Sequence, residues 1–182
     1  MTQKAIIYLY NWLVNILEVI NMKKLVAYYS RTGNTRKIAN EIAKMLGADC
    51  EEIIDKNKRK GFIGYFIAAI DALRKKPAKI LKSKYSLNDY GIVILGSPTW
   101  AGTMAPAMRT YIENNRAKIK KAAFFCTQGG KHLQGIFQAM QDALLKKPIN
   151  PFLLFLSIIS SQSAPSIFAI SFAIFLVFPV LE

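Results

Sequence analysis

Short apolar runs alternate along the chain with longer segments in which apolar residues recur every three or four positions. The short runs predict strands and the longer amphipathic segments predict helices. In chain order we expect strand 25–29, helix 34–46, strand 49–54, helix 61–75, strand 91–96, helix 104–115, strand 122–127 and helix 132–145. This alternation predicts an α/β domain in which helices cover both faces of a parallel sheet.

The pattern changes after Lys147, because residues 152–181 contain no charged side chain. The stretch 152–159 is typical of a last buried strand of a parallel sheet. Each apolar piece of this tail is shorter than the ~20 residues of a membrane-spanning helix. Two interpretations remain open for the remainder, a frame-shifted or otherwise atypical C-terminus and a membrane-associating tail.

Residues 1–21 are also apolar, and they lack the basic start and the small-residue cleavage site of a secretory signal. Met22-Lys23-Lys24 followed by a strand is typical of a protein start, and codons for residues 17–21 can contain a ribosome-binding sequence. We therefore expect translation to begin at Met22, with a short membrane-surface helix as the alternative. The expected organisation is an extension at 1–21, an α/β domain at 22–150 and a tail at 151–182.

The loop after the first strand reads Ser30-Arg31-Thr32-Gly33-Asn34-Thr35. Gly33 permits a tight turn with positive φ, and the first amides of the following helix lack partners within the helix. The hydroxyls of Ser30, Thr32 and Thr35 add further donors. Since no Lys follows the glycine, a phosphate monoester is favoured over a nucleoside triphosphate. The alternative is a plain turn with Asn34 or Thr35 as the N-cap.

Two further loops follow strands and leave the same edge of the predicted sheet. The loop at 97–104 carries Trp100 between Pro98 and Gly102, where the indole can cover a planar ring system. The alternative is that Trp100 anchors its own loop. The loop at 126–130 contains two glycines that allow close backbone approach, while Thr127 and Gln128 offer polar groups to the edge of a ring.

With these three loops, the segment from Lys23 to about Lys147 resembles flavodoxin and the wider flavodoxin-like family. S-R-T-G-N-T matches the family's phosphate loop, G-S-P-T-W-A-G-T-M-A-P-A-M-R-T-Y-I matches its second flavin loop and helix, and T-Q-G-G falls at the third flavin loop. The resemblance implies a doubly wound sandwich with a five-stranded parallel sheet of order 2-1-3-4-5. It also implies FMN as the cofactor.

The resemblance further implies which residues bind FMN. They are Ser30, Arg31, Thr32, Gly33, Asn34 and Thr35 for the phosphate, Ser97, Pro98, Thr99, Trp100, Ala101 and Gly102 for one side of the isoalloxazine, and Thr127, Gln128, Gly129 and Gly130 for the other. The third loop lacks the aromatic residue with which many flavodoxins stack the second flavin face. A less enclosed flavin is expected there. The family's last helix has no recognisable counterpart after Lys147.

The charge of the chain departs from that of acidic electron-carrying flavodoxins. Residues 22–148 contain 24 Lys and Arg against 9 Asp and Glu, a net charge of +15. Within them, residues 56–84 hold ten Lys and Arg and one acid, Asp71. These basic residues are interpreted either as solvated helix ends or as a docking surface for an acidic redox protein or an anionic membrane. No motif supports nucleic-acid recognition.

The cysteines and the histidine indicate the redox compartment and whether a metal site is expected. Cys50 and Cys126 lie far apart in apolar runs, which indicates reduced thiols and a cytoplasmic protein. His132 is the single histidine, so the sequence gives no basis for a metal site. His132 is interpreted as an exposed residue at a helix start, with donation to a flavin edge as the alternative.

The function that these observations predict is electron transfer between redox partners through a non-covalent FMN, with no catalytic side chain. The first alternative is an NAD(P)H-dependent FMN or quinone oxidoreductase, in which a less enclosed flavin accepts hydride. The second is a truncated, non-functional product that binds no cofactor.

Overall fold

The computed structural model describes residues 21–56, 77–128 and 134–144, together with the backbone of strands at 153–159 and 175–176. The elements are β1 (Lys24–Tyr28), α1 (Asn34–Leu46), β2 (Asp49–Glu52), a 3-10 helix (Leu87–Asp89), β3 (Ile92–Trp100), β4 (Thr103–Met104), α2 (Pro106–Asn115), β5 (Ala122–Gln128), α3 (Gln134–Leu144), β6 (Leu153–Ile159) and β7 (Phe175–Leu176).

The strands form one sheet in the order β2-β1-β3-β5-β6-β7, with β4 paired to β3 outside this path. β2, β1, β3, β5 and β6 run parallel to their neighbours, whereas β4 and β7 are short antiparallel additions. Counted among the parallel strands alone, the order is 2-1-3-4-5. The predicted doubly wound fold is therefore confirmed, and the two antiparallel strands extend it.

Successive residues of the central strands point to opposite faces of the sheet, as the pleat requires. One core contains Leu25, Val93 and Phe124 of the strands with Met108 of α2 and Met140 of α3. The other contains Val26, Ile94 and Phe125 with Ile38 and Ala39 of α1. Helices therefore cover both faces, α1 on one and α2 with α3 on the other.

Element boundaries follow the prediction where the local pattern is complete. α1 has the predicted limits, and α3 lies inside the predicted 132–145. β3 runs on to Trp100 and α2 begins only at Pro106, because residues 103–104 turn back to pair with β3. The predicted helix 61–75 lies outside the described residues.

The apolar C-terminal segment contributes the last parallel strand. β6 pairs with β5 from Ala122↔Leu153 to Gln128↔Ile159, within the stretch where a strand is predicted. β7 pairs with β6 in the antiparallel direction, through Phe155↔Phe175. Within the part of the chain that the structure describes, no helix has the length and apolar character of a membrane span.

Candidate functional site

The three predicted loops meet at one edge of the sheet. β1 and β3 are neighbours, and the chain proceeds from β1 outward to β2 but from β3 in the other direction to β5. This reversal is a switch point of strand order, where the carboxyl ends of the strands leave a crevice for ligands. The loops after β1 and β3 and the last residues of β5 border that crevice.

The first loop forms a tight turn. Gly33 has φ +96° and is the N-cap of α1, and its N–H donates to Ser30 Oγ at 3.1 Å. A Cβ added at Gly33 would meet no atom within 4 Å, so the space beside the turn is open. The alternative interpretation, with Asn34 or Thr35 as the N-cap, is wrong, because Gly33 takes that position and no side chain caps the helix. The first amides of α1 are thus left for another acceptor.

Thr35 makes a hydrogen bond within the protein. Its side chain is buried, and its Oγ1 lies 2.8 Å from Oγ1 of Thr127. This hydrogen bond joins the start of α1 to the end of β5 across 92 residues of sequence. Two residues predicted to contact different parts of one ligand therefore contact each other, and they fix the spacing of the first and third loops.

The outer side of the first loop carries positive charge. Arg31, Thr32 and Asn34 are exposed. Arg36, in the first turn of α1, donates to both carboxylate oxygens of Glu52 at 3.0 and 2.8 Å, and this hydrogen bonding raises the pKa of Arg36. The pair neutralises the acidic residue at the end of β2.

The second loop is a tight hairpin turn rather than an open loop. Ala101 and Gly102 have φ of +48° and +76°, which reverses the chain so that Trp100 pairs with Thr103. Turns with two positive φ values match the twist of antiparallel strands. The exposed tip of the hairpin is therefore Ala101-Gly102.

The expectation that Trp100 stands at a loop tip is wrong. Trp100 is the last residue of β3, and its side chain is only 5% exposed. Its ring packs edge-to-face on Tyr29, with centroids 5.6 Å apart and an interplanar angle of 86°. Sequence reasoning missed Tyr29 as a residue of this region, although an aromatic directly before the first loop was a usable signal.

Ser97 lies inside the hairpin base rather than at its surface. The side chain is fully buried, and Oγ accepts a hydrogen bond from Ala105 N and donates to the carbonyl oxygen of Pro98, both at 3.0 Å. These contacts fix the hairpin to the start of α2. The structure thus places Ser97 as a support of the loop.

Two buried polar atoms at the ends of β3 and β5 have no hydrogen-bond partner among the described residues. They are Thr99 Oγ1 and Gln128 Nε2. Pro98 lies opposite Thr127 in the pairing of β3 with β5. Thr99 and Gln128 are the next residues of the two strands, so they lie beside each other near the strand ends. Leaving a buried polar group unpaired costs roughly 1–3 kcal/mol, so a ligand that supplies an acceptor and a donor fits here. On α2, two guanidinium nitrogens of Arg109 likewise have no partner in the described part of the chain, and burial lowers the pKa of Arg109.

The third loop is described only at its beginning. Thr127 and Gln128 are the buried last residues of β5, and Cys126 before them is completely buried. Gly129, Gly130 and His132 lie outside the described residues. At the start of α3, a Cβ added at Gly135 would lie 2.5 Å from the Gly102 carbonyl oxygen, so this helix packs directly on the hairpin turn.

Solved structures share this fold. A flavoprotein of Lactobacillus acidophilus NCFM in complex with FMN aligns with a TM-score of 0.65 at 20% identity, over 75% of this chain and 92% of that one. A structure from Bacteroides eggerthii aligns with a TM-score of 0.62 at 22% identity, over 76% and 88%. No curated protein sequence matches the chain. The profile of the family described as flavodoxin matches residues 23–151. The chain therefore belongs to the flavodoxin family.

Proposed function

We propose that the chain binds FMN without a covalent bond and passes electrons between redox partners. The observation that carries the proposal is the meeting, at the β1/β3 switch point, of an uncapped helix start with two buried, unpartnered polar atoms in the described residues. FMN offers both matching features, a phosphate and a planar ring whose edge bears carbonyl and N–H groups. The Lactobacillus acidophilus flavoprotein, which has the same fold, was crystallised with FMN.

The phosphate end is assigned to the first loop. The backbone amides at the start of α1 would donate hydrogen bonds to the phosphate, and the positive end of the helix dipole lies at the same place. Ser30, Thr32 and Asn34 border these amides, and Arg31 adds a positive charge. Thr35 contributes its amide, while its hydroxyl holds the first loop to β5 through Thr127.

The ring end is assigned to the strand ends of β3 and β5. Thr99 Oγ1 and Gln128 Nε2 are the polar atoms that a ring edge would satisfy. Pro98, Ala101 and Gly102 border this position from the hairpin. Little of the Trp100 ring is left for the flavin, because the side chain is 5% exposed and packs against Tyr29. Gly129 and Gly130 remain predicted contacts from the third loop.

FMN, when bound, supplies one- or two-electron redox chemistry. The chain's own contribution is binding and electrostatic tuning. A net charge of +15 over residues 22–148 favours the anionic reduced flavin. We therefore expect a two-electron potential higher than that of acidic flavodoxins. Spectroelectrochemical titration measures it, and a potential as low as theirs would contradict this tuning.

The same charge supports a redox partner with an acidic docking face, since opposite charge accelerates encounter. The compartment proposed for both is the cytoplasm. This proposal rests on Cys50 and Cys126, which are not joined in a disulfide and so suit a reducing compartment.

The experiment is an absorption and fluorescence titration of the full chain with FMN, followed by steady-state assays of the loaded protein. We expect saturable quenching of flavin fluorescence and no oxidation of NADPH in the presence of a quinone unless a partner reductase is added. Turnover with NADPH alone would replace electron transfer by the NAD(P)H-dependent oxidoreductase. A protein that stays colourless after FMN addition would overturn both and leave a non-functional product.

A further inference from the structure

A second region of the molecule, on the face covered by α2, is lined by basic side chains. It is a groove of about 900 Å³ between the segment 80–87 and the C-terminal end of α2 with the turn that follows. Lys56, Lys82, Lys84 and Lys118 line it, and no acidic residue does so within the part of the chain that the structure describes. All four lysines are exposed. The groove is therefore a concentrated site of positive potential.

Backbone hydrogen bonds hold one wall of the groove in place. Leu81 N donates to Ile54 O at 2.9 Å, and Lys56 N donates to Lys79 O at 2.7 Å. The segment therefore extends antiparallel to the residues that follow β2, with Asp55 and Ile80 as a bridge pair. This pairing gives the lysines on the wall a fixed backbone.

One acidic residue beside this wall, Glu51, already has hydrogen-bond donors. The Glu51 carboxylate is buried and accepts hydrogen bonds from Ser83 Oγ at 2.7 Å, from Lys84 N and from Tyr111 Oη at 3.3 Å. It lines a smaller adjoining cavity of about 240 Å³ that shares Lys82 and Lys84 with the groove. Burial raises the pKa of Tyr111, so its phenol remains a donor to Glu51.

The groove lysines therefore keep their charge available. Neither the Lys23–Asp49 ion pair nor the Arg36–Glu52 ion pair uses a groove residue. The Lys84 ammonium lies instead 5.0 Å from the centre of the Tyr85 ring. An anionic partner would meet four ammonium groups without displacing an existing carboxylate.

The kind of charge selects the kind of partner. Lysine is a flexible point charge, whereas bidentate recognition of phosphate relies on arginine, and none of the described residues that line the groove is an arginine. Single-stranded nucleic acid also needs exposed aromatic platforms for its bases. Of the tyrosines Tyr85 and Tyr111 in the groove lining, Tyr111 is buried, and Tyr85 is half-buried and packs edge-to-face on Tyr90, with centroids 6.0 Å apart. Carboxylates spaced along an extended chain suit this lining better.

We propose that this lysine groove is the docking site for an acidic segment of a partner protein, rich in Asp and Glu. Binding there does not require FMN, because the groove and the cofactor site use different residues. That the segment belongs to the electron-transfer partner rests on the proposed function. The groove then gives the acidic docking face of that partner a specific place on this chain.

The test is fluorescence anisotropy of a labelled oligoglutamate peptide with the full chain at physiological ionic strength. Lys82→Glu/Lys118→Glu reverses one charge on each wall of the groove. Lys37→Glu/Lys44→Glu is the matched control, because it makes the same change in net charge on exposed positions of α1, across the sheet. We expect the groove variant to weaken peptide binding at least about tenfold and the control less than about threefold.

Equal losses in the two variants, or no binding by the wild type, would overturn the docking site. Tighter, groove-dependent binding of oligouridylate would replace the acidic segment with nucleic acid and overturn the proposal in that form. FMN titration of the groove variant separates the two proposals. Unchanged FMN binding with lost peptide binding supports the groove, whereas absence of FMN binding in every variant contradicts only the proposed function.

Discussion

The crevice at the β1/β3 switch point and the lysine groove beside α2 both favour anions, but they are built from different materials. The crevice uses backbone amides fixed by Gly33 and buried side-chain atoms such as Gln128 Nε2. The groove uses long exposed side chains on a paired segment. Fixed dipoles act at contact distance, whereas exposed charges are screened within a Debye length of ~8 Å at physiological salt. The crevice is suited to one ligand, and the groove to a class of partners.

The largest expected effect is a loss of FMN affinity caused by a substitution in the turn of the first loop. In Gly33→Val a β-branched residue meets φ +96°, so the loop loses its shape at a cost of roughly 1–3 kcal/mol. We expect the Kd for FMN to rise about 100-fold, or ~2.8 kcal/mol. Isothermal titration calorimetry measures this Kd.

Gly47→Val is the matched control for that variant. Gly47 also has positive φ, +59°, and a Cβ added there would meet no atom within 4 Å, but it ends α1 at the far side of the helix. It should lose similar stability and keep FMN affinity. If both variants bind FMN as the wild type does, the first loop is not the phosphate site.

A second variant separates ligand recognition from stability within the crevice. Gln128→Met removes a buried donor without a partner in the described structure, so the apo-protein should gain about 1 kcal/mol in free energy of unfolding. FMN binding should weaken about tenfold, or ~1.4 kcal/mol. Urea denaturation and FMN titration give the two values.

The control for Gln128→Met is Gln138→Met on α3, where the amide is exposed and donates to Asp142 at 2.8 Å. FMN affinity should be unchanged there. A Gln128→Met protein that is less stable and binds FMN normally would show that this amide has a partner of its own.

A double-mutant cycle tests the link between the first and third loops. Thr35→Val and Thr127→Val each leave one buried hydroxyl without its partner, and the double variant removes both. We expect a coupling energy of ~1 kcal/mol between them in urea denaturation. Additive effects of the two substitutions would show that the hydroxyls do not interact.

The smallest effect concerns the stability of the protein at high pH, through Tyr111 in the groove lining. Burial raises the pKa of Tyr111, so above pH ~10 the unfolded chain loses this proton before the folded chain does. Its contribution to stability is present below that pH and declines as the pH rises further. Thermal unfolding at pH 9 and 11 should show a smaller decline for Tyr111→Phe than for the wild type. Equal declines would contradict it.

Local sequence was sufficient for some of these features. The limits of α1 followed from its apolar stripe and from the glycines at both ends, Gly33 and Gly47. The parallel order followed from the alternation of elements and the family resemblance. The position of Trp100 did not, because Pro and Gly around it indicate a turn, while its burial depends on pairing with Thr103 and packing on Tyr29.

Contacts between distant residues set the remaining limit. The Thr35–Thr127 hydrogen bond joins positions whose types alone predict only ligand contacts. Likewise, the excess of lysines was evident in the sequence. Their arrangement around a groove depends on Glu51 holding Ser83 and Lys84, which no local pattern indicates.

The most direct test of the central claim is the ratio of the Kd values of the full chain for riboflavin and for FMN. Riboflavin has the same ring and no phosphate, so the ratio gives the contribution of the phosphate, and of the amides at the start of α1 that bind it, to the affinity. We expect FMN to bind at least about 100-fold more tightly, or ~2.8 kcal/mol. Equal affinities, or no binding of either, would contradict a phosphate site at this turn.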